Sequence, residues 1–125
     1  MKYLSLDWGL KKFGTAYSDG SLATPGEEIG ISSLEDGVKK VLDLVRKNSI
    51  ETVVIGQPEG EMGRVVLKTI TAFKKAGLNI IGVDETLTSQ DALKTMIDLG
   101  YGKKMRQGDH KVAAAIILQR FLDEA

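Results

Sequence analysis

KYLSLDWGLKKFGTAYSD, residues Lys2 to Asp19, decides how the rest of the chain is read. The apolar run Tyr3-Leu4-Ser5-Leu6 leads into Asp7, and Trp8-Gly9 interrupts it. Leu10-Lys11-Lys12 then supplies a turn before a second alternating run, Phe13 to Tyr17, which ends at Ser18-Asp19. Two β-favouring runs joined by a short glycine-containing turn predict a hairpin. Asp7 then stands where the first strand ends, with its carboxylate at the rim of a sheet. One carboxylate in that position can equally well close a turn, so its meaning depends on which other acids reach the same rim.

With 125 residues the chain is expected to form one domain, residues 1–125, around a single core. There is no apolar run of about 18 residues, so no transmembrane helix is expected. Nor is a signal peptide expected, because Asp7 and Lys11-Lys12 arrive before an apolar region can build. Cysteine is absent, which excludes disulfides and thiolate metal sites and makes a reducing cytoplasm the expected location. Seventeen basic residues balance seventeen acidic ones, which argues against coating nucleic acid by bulk charge but leaves room for a local basic patch.

Beyond the hairpin, Ser21 to Ile31 reads as a short third strand containing Pro25, Gly26 and Gly30. Ser32 and Glu35 have capping-box spacing, and Leu34, Val38, Val41, Leu42 and Val45 recur with helical period to Asn48. Thr52-Val53-Val54-Ile55 reads as a strand covered on both faces. Gln57 to Gly63 reads as a loop, Arg64 to Ala76 as a helix capped by Gly77, and Asn79 to Val83 as another buried strand that delivers Asp84 and Glu85. Thr88-x-x-Asp91 opens a helix that Gly100 stops, a basic turn follows through Lys103, Lys104 and Arg106, and a last helix starts at Asp109. The order β-β-β-α-β-α-β-α-α implies an α/β fold: a mixed sheet, part antiparallel meander and part parallel, with helices on both faces.

In such sheets ligands gather beyond the carboxyl ends of the parallel strands. Asp7 and Asp84-Glu85 both lie at predicted strand ends, and the Ala113-Ala114-Ala115 run lets the last helix pack close enough to bring Asp109 to the same crevice. Converging carboxylates repel one another unless a hard divalent cation sits among them, and two such ions about 3.5–4 Å apart hydrolyse phosphodiesters. Each acid also has a plainer reading as a turn or helix-cap residue, Asp109 above all as an N-cap. Lys11, Lys12, Lys103, Lys104, Arg106 and Lys111 flank the acids as a candidate phosphate track or as solvated turns. Tyr101 is a candidate for base stacking, Trp8 reads better as a core or rim aromatic, and His110, a candidate general base, reads better as an ordinary first-turn helix residue.

Four ordered blocks make the sequence resemble the YqgF family, also called RuvX, within the ribonuclease H-like superfamily. They are Leu6 to Ala16 with Ser18-Asp19, Val53 to Pro58, Asp84 to Ser89, and Asp109 to Gln119. The resemblance implies a ribonuclease H-like nuclease that uses Mg2+ or Mn2+, with Asp7, Glu85 and Asp109 matching the family's acidic triad. It also implies Holliday junction resolution or 5′-end processing of pre-16S rRNA, with RNA favoured over DNA as the nucleic-acid partner. One departure is the loop after Pro58, where Glu59-Gly60-Glu61-Met62-Gly63 replaces a longer Asn-Met-Asp-Gly-like stretch. That difference keeps open a second reading, a catalytically silent nucleic-acid-binding or regulatory module. An actin-like ATPase ranks last, because the chain has no room for a second phosphate-binding hairpin and domain. A monomer suits trimming of single-stranded RNA, and a homodimer suits a two-fold symmetric junction.

Overall fold

Strand β1, Tyr3–Trp8, is buried along most of its length, and the chain builds outward from it on both sides. The computed structural model describes residues 2–84 and 110–124. The remaining described elements are β2 (Lys12–Ser18), β3 (Thr24–Gly30), α1 (Leu34–Asn48), β4 (Thr52–Gln57), α2 (Glu61–Lys75), β5 (Ile80–Asp84) and α3 (His110–Glu124). The sheet order is β3-β2-β1-β4-β5. The β1–β2 and β2–β3 pairs are antiparallel, whereas β1–β4 and β4–β5 are parallel. This is the mixed sheet expected, and the expected third strand is its edge strand, where Pro25 is tolerated because an edge has a free donor side. The helix expected at 88–100 lies outside the described residues. Among the described residues no helix is long and apolar enough to cross a membrane.

The two faces of the sheet are packed differently. Leu4, Leu6 and Trp8 of β1, Phe13 of β2, and Val53 and Ile55 of β4 pack with Val41 of α1 and Val66, Ile70 and Phe73 of α2. Trp8 is a core residue: its ring stacks on Phe13 with centroids 5.0 Å apart and meets Phe73 edge-on at 5.5 Å, both favoured aromatic geometries. The other face is lined with small groups. Ala16 and Val54 pack against Ala114, Ala115, Ile117 and Leu118 of α3. Ser5 Oγ, fully buried, donates to the Ala114 carbonyl at 2.6 Å. Gln119 fastens the far end of α3, its Oε1 accepting from the Ala23 N–H at 2.9 Å.

Three local expectations are corrected. The cap of α1 is Ser33 rather than Ser32: Ser33 Oγ accepts from the Asp36 N–H, while Asp36 Oδ2 accepts from the Ser32 N–H. The Asp36 carboxyl is consequently held below the ordinary carboxylate range, first by the Ser32 N–H and then by Lys40. Its contribution is therefore present above that range and is lost as the pH falls through the depressed value. Helix α2 begins at Glu61, not Arg64. A Cβ at Gly63 would collide with the Pro58 carbonyl oxygen, so glycine there lets the first turn close against Pro58, and Glu61 favours the positive end of the helix. Finally, β5 is not buried on both faces; Ile81 is 38% exposed.

Ser33→Ala removes the cap acceptor and is expected to lower stability by about 1 kcal/mol. Urea unfolding checks it, and an unchanged midpoint would contradict the cap.

Candidate functional site

The carboxylate of Asp7 is placed by strand alternation. Leu4, Leu6 and Trp8 turn toward α1 and α2, so Ser5 and Asp7 turn toward α3. In the hairpin register Asp7 lies opposite Gly14, and that pairing decides what can approach it. A Cβ at Gly14 would fall on the backbone of His110, and within 2.5 Å of the Lys111 nitrogen. The first turn of α3 thus rests directly on the backbone of β2, a contact that any side chain at position 14 would prevent. The consequence is that His110 Nδ1 donates to Asp7 Oδ2 at 2.5 Å. The Asp7 side chain keeps 15% of its surface and that of His110 33%; the pair is partly shielded yet reachable. Gly9 completes the corner: its N–H donates to the Lys12 carbonyl at 3.0 Å and closes the hairpin turn.

Asp7 and His110 line a crevice of about 550 Å³, together with Trp8, Gly9, Leu10, Lys11, Lys12, Pro58 and Met62. Lys11 and Lys12, expected beside the acids, do reach this crevice. Lys12 Nζ also lies 2.9 Å from Glu28 Oε2 on β3, so one of its positions is against an acid of the neighbouring strand. Lys111 sits in the first turn of α3.

Asp84 is corrected. It shares strand parity with Ile80, which packs toward α1 and α2, whereas Val83 packs toward α3. Asp84 therefore projects from the face opposite Asp7. Glu85, Asp109, Tyr101, Lys103, Lys104 and Arg106 lie outside the described residues. Among the described residues no group of three or more acids, histidines or cysteines is assembled to hold a metal ion.

The residue that sequence reasoning undervalued is His110. Its signal lies in a combination: a histidine at the start of a helix whose close packing is licensed by the glycine opposite Asp7. A second hollow of about 500 Å³ opens at the other end of the sheet, between Lys2, Tyr3, Tyr17 and Leu22. None of the predicted site residues lines it.

Comparisons with known proteins agree with this placement of the strands and helices. A family model described as "RuvX: Holliday junction resolvase" matches residues 1–124. A protein of Anaplasma marginale named "Putative pre-16S rRNA nuclease" is 34% identical over 134 residues, covering 99% of this chain and 85% of that one. A protein of the same name from Sulfurihydrogenibium sp. is 36% identical, covering 98% and 90%. Among solved structures, Thermus thermophilus RuvC in complex with Holliday junction substrate superposes with a TM-score of 0.67 at 17% identity, covering 99% of this chain and 94% of that one. The fowlpox virus Holliday junction resolvase gives 0.60 at 14%, covering all of both chains. At such identities these two likenesses speak for the fold, a ribonuclease H-like one.

Gly14→Ala forces α3 off the sheet and is expected to cost about 1–3 kcal/mol, the range for overpacking a close contact. Unfolding of the variant as late in urea as wild type would contradict the contact.

Proposed function

The chain belongs to the RuvX family of Holliday junction resolvases, and from that premise we propose that it is a metal-dependent nuclease hydrolysing phosphodiester bonds in structured nucleic acid. The observation that carries this reading is the Asp7 carboxylate, held by His110 in the wall of an open crevice, on the side of the sheet where α3 begins. The names of the relatives favour RNA, in 5′-end processing of pre-16S rRNA, over a DNA junction. The silent binding module is the weaker reading, because a carboxylate fastened at a reachable crevice serves hydrolysis better than it serves binding of a polyanion.

The proposed metal donors are Asp7, Glu85 and Asp109, with Mg2+ or Mn2+ as the ion. The fit is one of donor chemistry: carboxylate oxygens are hard ligands suited to these ions, and Asp109 is the chain neighbour of the residue that touches Asp7. The chemistry a divalent ion supplies when bound there is activation of water for attack on phosphorus and stabilisation of the departing oxygen. Asp7 contributes negative charge and a fixed direction of approach. By donating to Oδ2, His110 locks the carboxylate rotamer, the way an outer hydrogen bond orients a ligand. The positive end of α3 opens onto the same side and favours a phosphate there. Lys11, Lys12 and Lys111, with Lys103, Lys104 and Arg106, are proposed to hold flanking phosphates.

Asp7→Asn, which keeps the shape and removes the charge, is expected to abolish cleavage of end-labelled RNA or of a four-way DNA junction in Mg2+ or Mn2+ while leaving the unfolding transition in place. Metal-dependent cleavage by that variant at the wild-type rate would overturn the assignment. His110→Gln is expected to slow cleavage about 10- to 100-fold, as loss of an orienting partner does. A wild-type rate for it would remove His110 from the site.

A further inference from the structure

Leu10 is the most exposed large apolar residue described, 72% accessible at the tip of the β1–β2 hairpin. A single exposed leucine needs no explanation, but this one stands between two hollows. On one side it lines the Asp7 crevice together with Pro58 and Met62. On the other it lines a smaller groove of about 160 Å³ with Ile31, Leu34 and Val65, between the starts of α1 and α2. Leu10, Pro58 and Met62 give this crevice an apolar share of wall that neither a phosphate nor a hydrated ion needs. Asp7 and His110, with Lys11 and Lys12 on the turn, line the same crevice.

We propose that this crevice receives an unpaired nucleobase next to the scissile phosphate, with Leu10 as the wedge that keeps it out of the stack and Pro58 and Met62 as the opposite wall. The inference rests on the nuclease reading above and extends it to how a cutting site is chosen. A nucleotide combines an apolar face with an anionic linker, and the crevice matches both: aliphatic walls for the base, lysines for the flanking phosphates, and Asp7 beside the bond to be cut. Leucine, methionine and proline are side chains that enter base steps elsewhere in nucleic-acid recognition. The volume lies within the roughly 300–1,000 Å³ of ligand-sized sites. A base held in a duplex cannot enter, so the chain discriminates by pairing rather than by sequence, whether the unpaired base comes from RNA or from the branch point of a DNA junction.

The test uses the full chain with chelator present, so that binding is read without cleavage. A short RNA and a four-way DNA junction each carry 2-aminopurine at one unpaired or branch-point position, and fully paired duplexes carry it at a paired one. Wild type is expected to raise the fluorescence of the unpaired probe, by unstacking it, and to leave the paired one unchanged. Leu10→Ser and Met62→Ser are each expected to remove most of that rise and to weaken binding of the unpaired probe about tenfold, the scale of one lost aliphatic contact. Leu67→Ser, at another exposed leucine, 55% accessible on α2 and outside both hollows, is expected to behave as wild type. A response with RNA and none with the junction, or the reverse, identifies which nucleic acid supplies the base. Full fluorescence responses in both crevice variants, or no response of wild type to any unpaired probe, would overturn the proposal. Because Leu10 is exposed, circular dichroism of its variant is expected to match wild type. A chain that unstacks the probe in chelator yet cuts nothing in Mg2+ or Mn2+ refutes the nuclease reading and retains the base pocket.

Discussion

The first turn of α3 lies on the backbone of β2 at Gly14, and the candidate site depends on that contact. Antiparallel register puts Gly14 beside Asp7, so removing a side chain from one strand clears the space through which a helix reaches the acid on the next. His110 fills it. The arrangement is held by groups distant in sequence: Ser5 Oγ to the Ala114 carbonyl, and Gln119 Oε1 to the Ala23 N–H. These buried polar ties fix the position of α3 along the sheet as well as its distance from it. A purely apolar contact of alanines would allow the helix to slide, because dispersion has no direction.

The asymmetry of the two faces follows from the same requirement. Toward α1 and α2 the sheet presents leucine, tryptophan and phenylalanine, and the large rings of Trp8, Phe13 and Phe73 lock together. That face supplies most of the apolar burial, the main favourable contribution to folding. Toward α3 it presents serine, glycine and alanine, which bury less but permit a close approach. The division separates the part of the fold that holds the sheet rigid from the part that brings chemistry to its rim. It also explains why Trp8, next to Asp7 in sequence, is a core residue: one step along a strand changes the face.

Much of this was legible in the residues. The hairpin, the edge strand with Pro25 and the doubly covered β4 follow from runs, turns and alternation. Asp7 could be placed near the sheet rim because Gly9 and Leu10-Lys11-Lys12 mark a turn directly after it. What escaped was set by tertiary contacts. The cap of α1 shifted to Ser33 because its Oγ accepts from the Asp36 N–H, while the Asp36 carboxylate reaches back to the Ser32 N–H and to Lys40. The first turn of α2 was hidden in Glu61-Met62-Gly63, where glycine signals a loop but here lets a helix pass Pro58. The facing of Asp84 was within reach: counting parity from Ile80 turns it away from Asp7. The Asp7–His110 contact spans 103 positions, and no local pattern records a pairing of that range.

The central claim is that Asp7 and the start of α3 form one cation-dependent site. Mn2+ titrated into 15N-labelled protein tests it most directly, since the ion broadens amide signals near where it binds. The account predicts that Asp7, Gly9, Gly14 and His110 broaden first, and that Asp7→Asn removes the effect. Broadening that begins around Tyr17 and Ser21 at the opposite end of the sheet, or that survives Asp7→Asn unchanged, would contradict it.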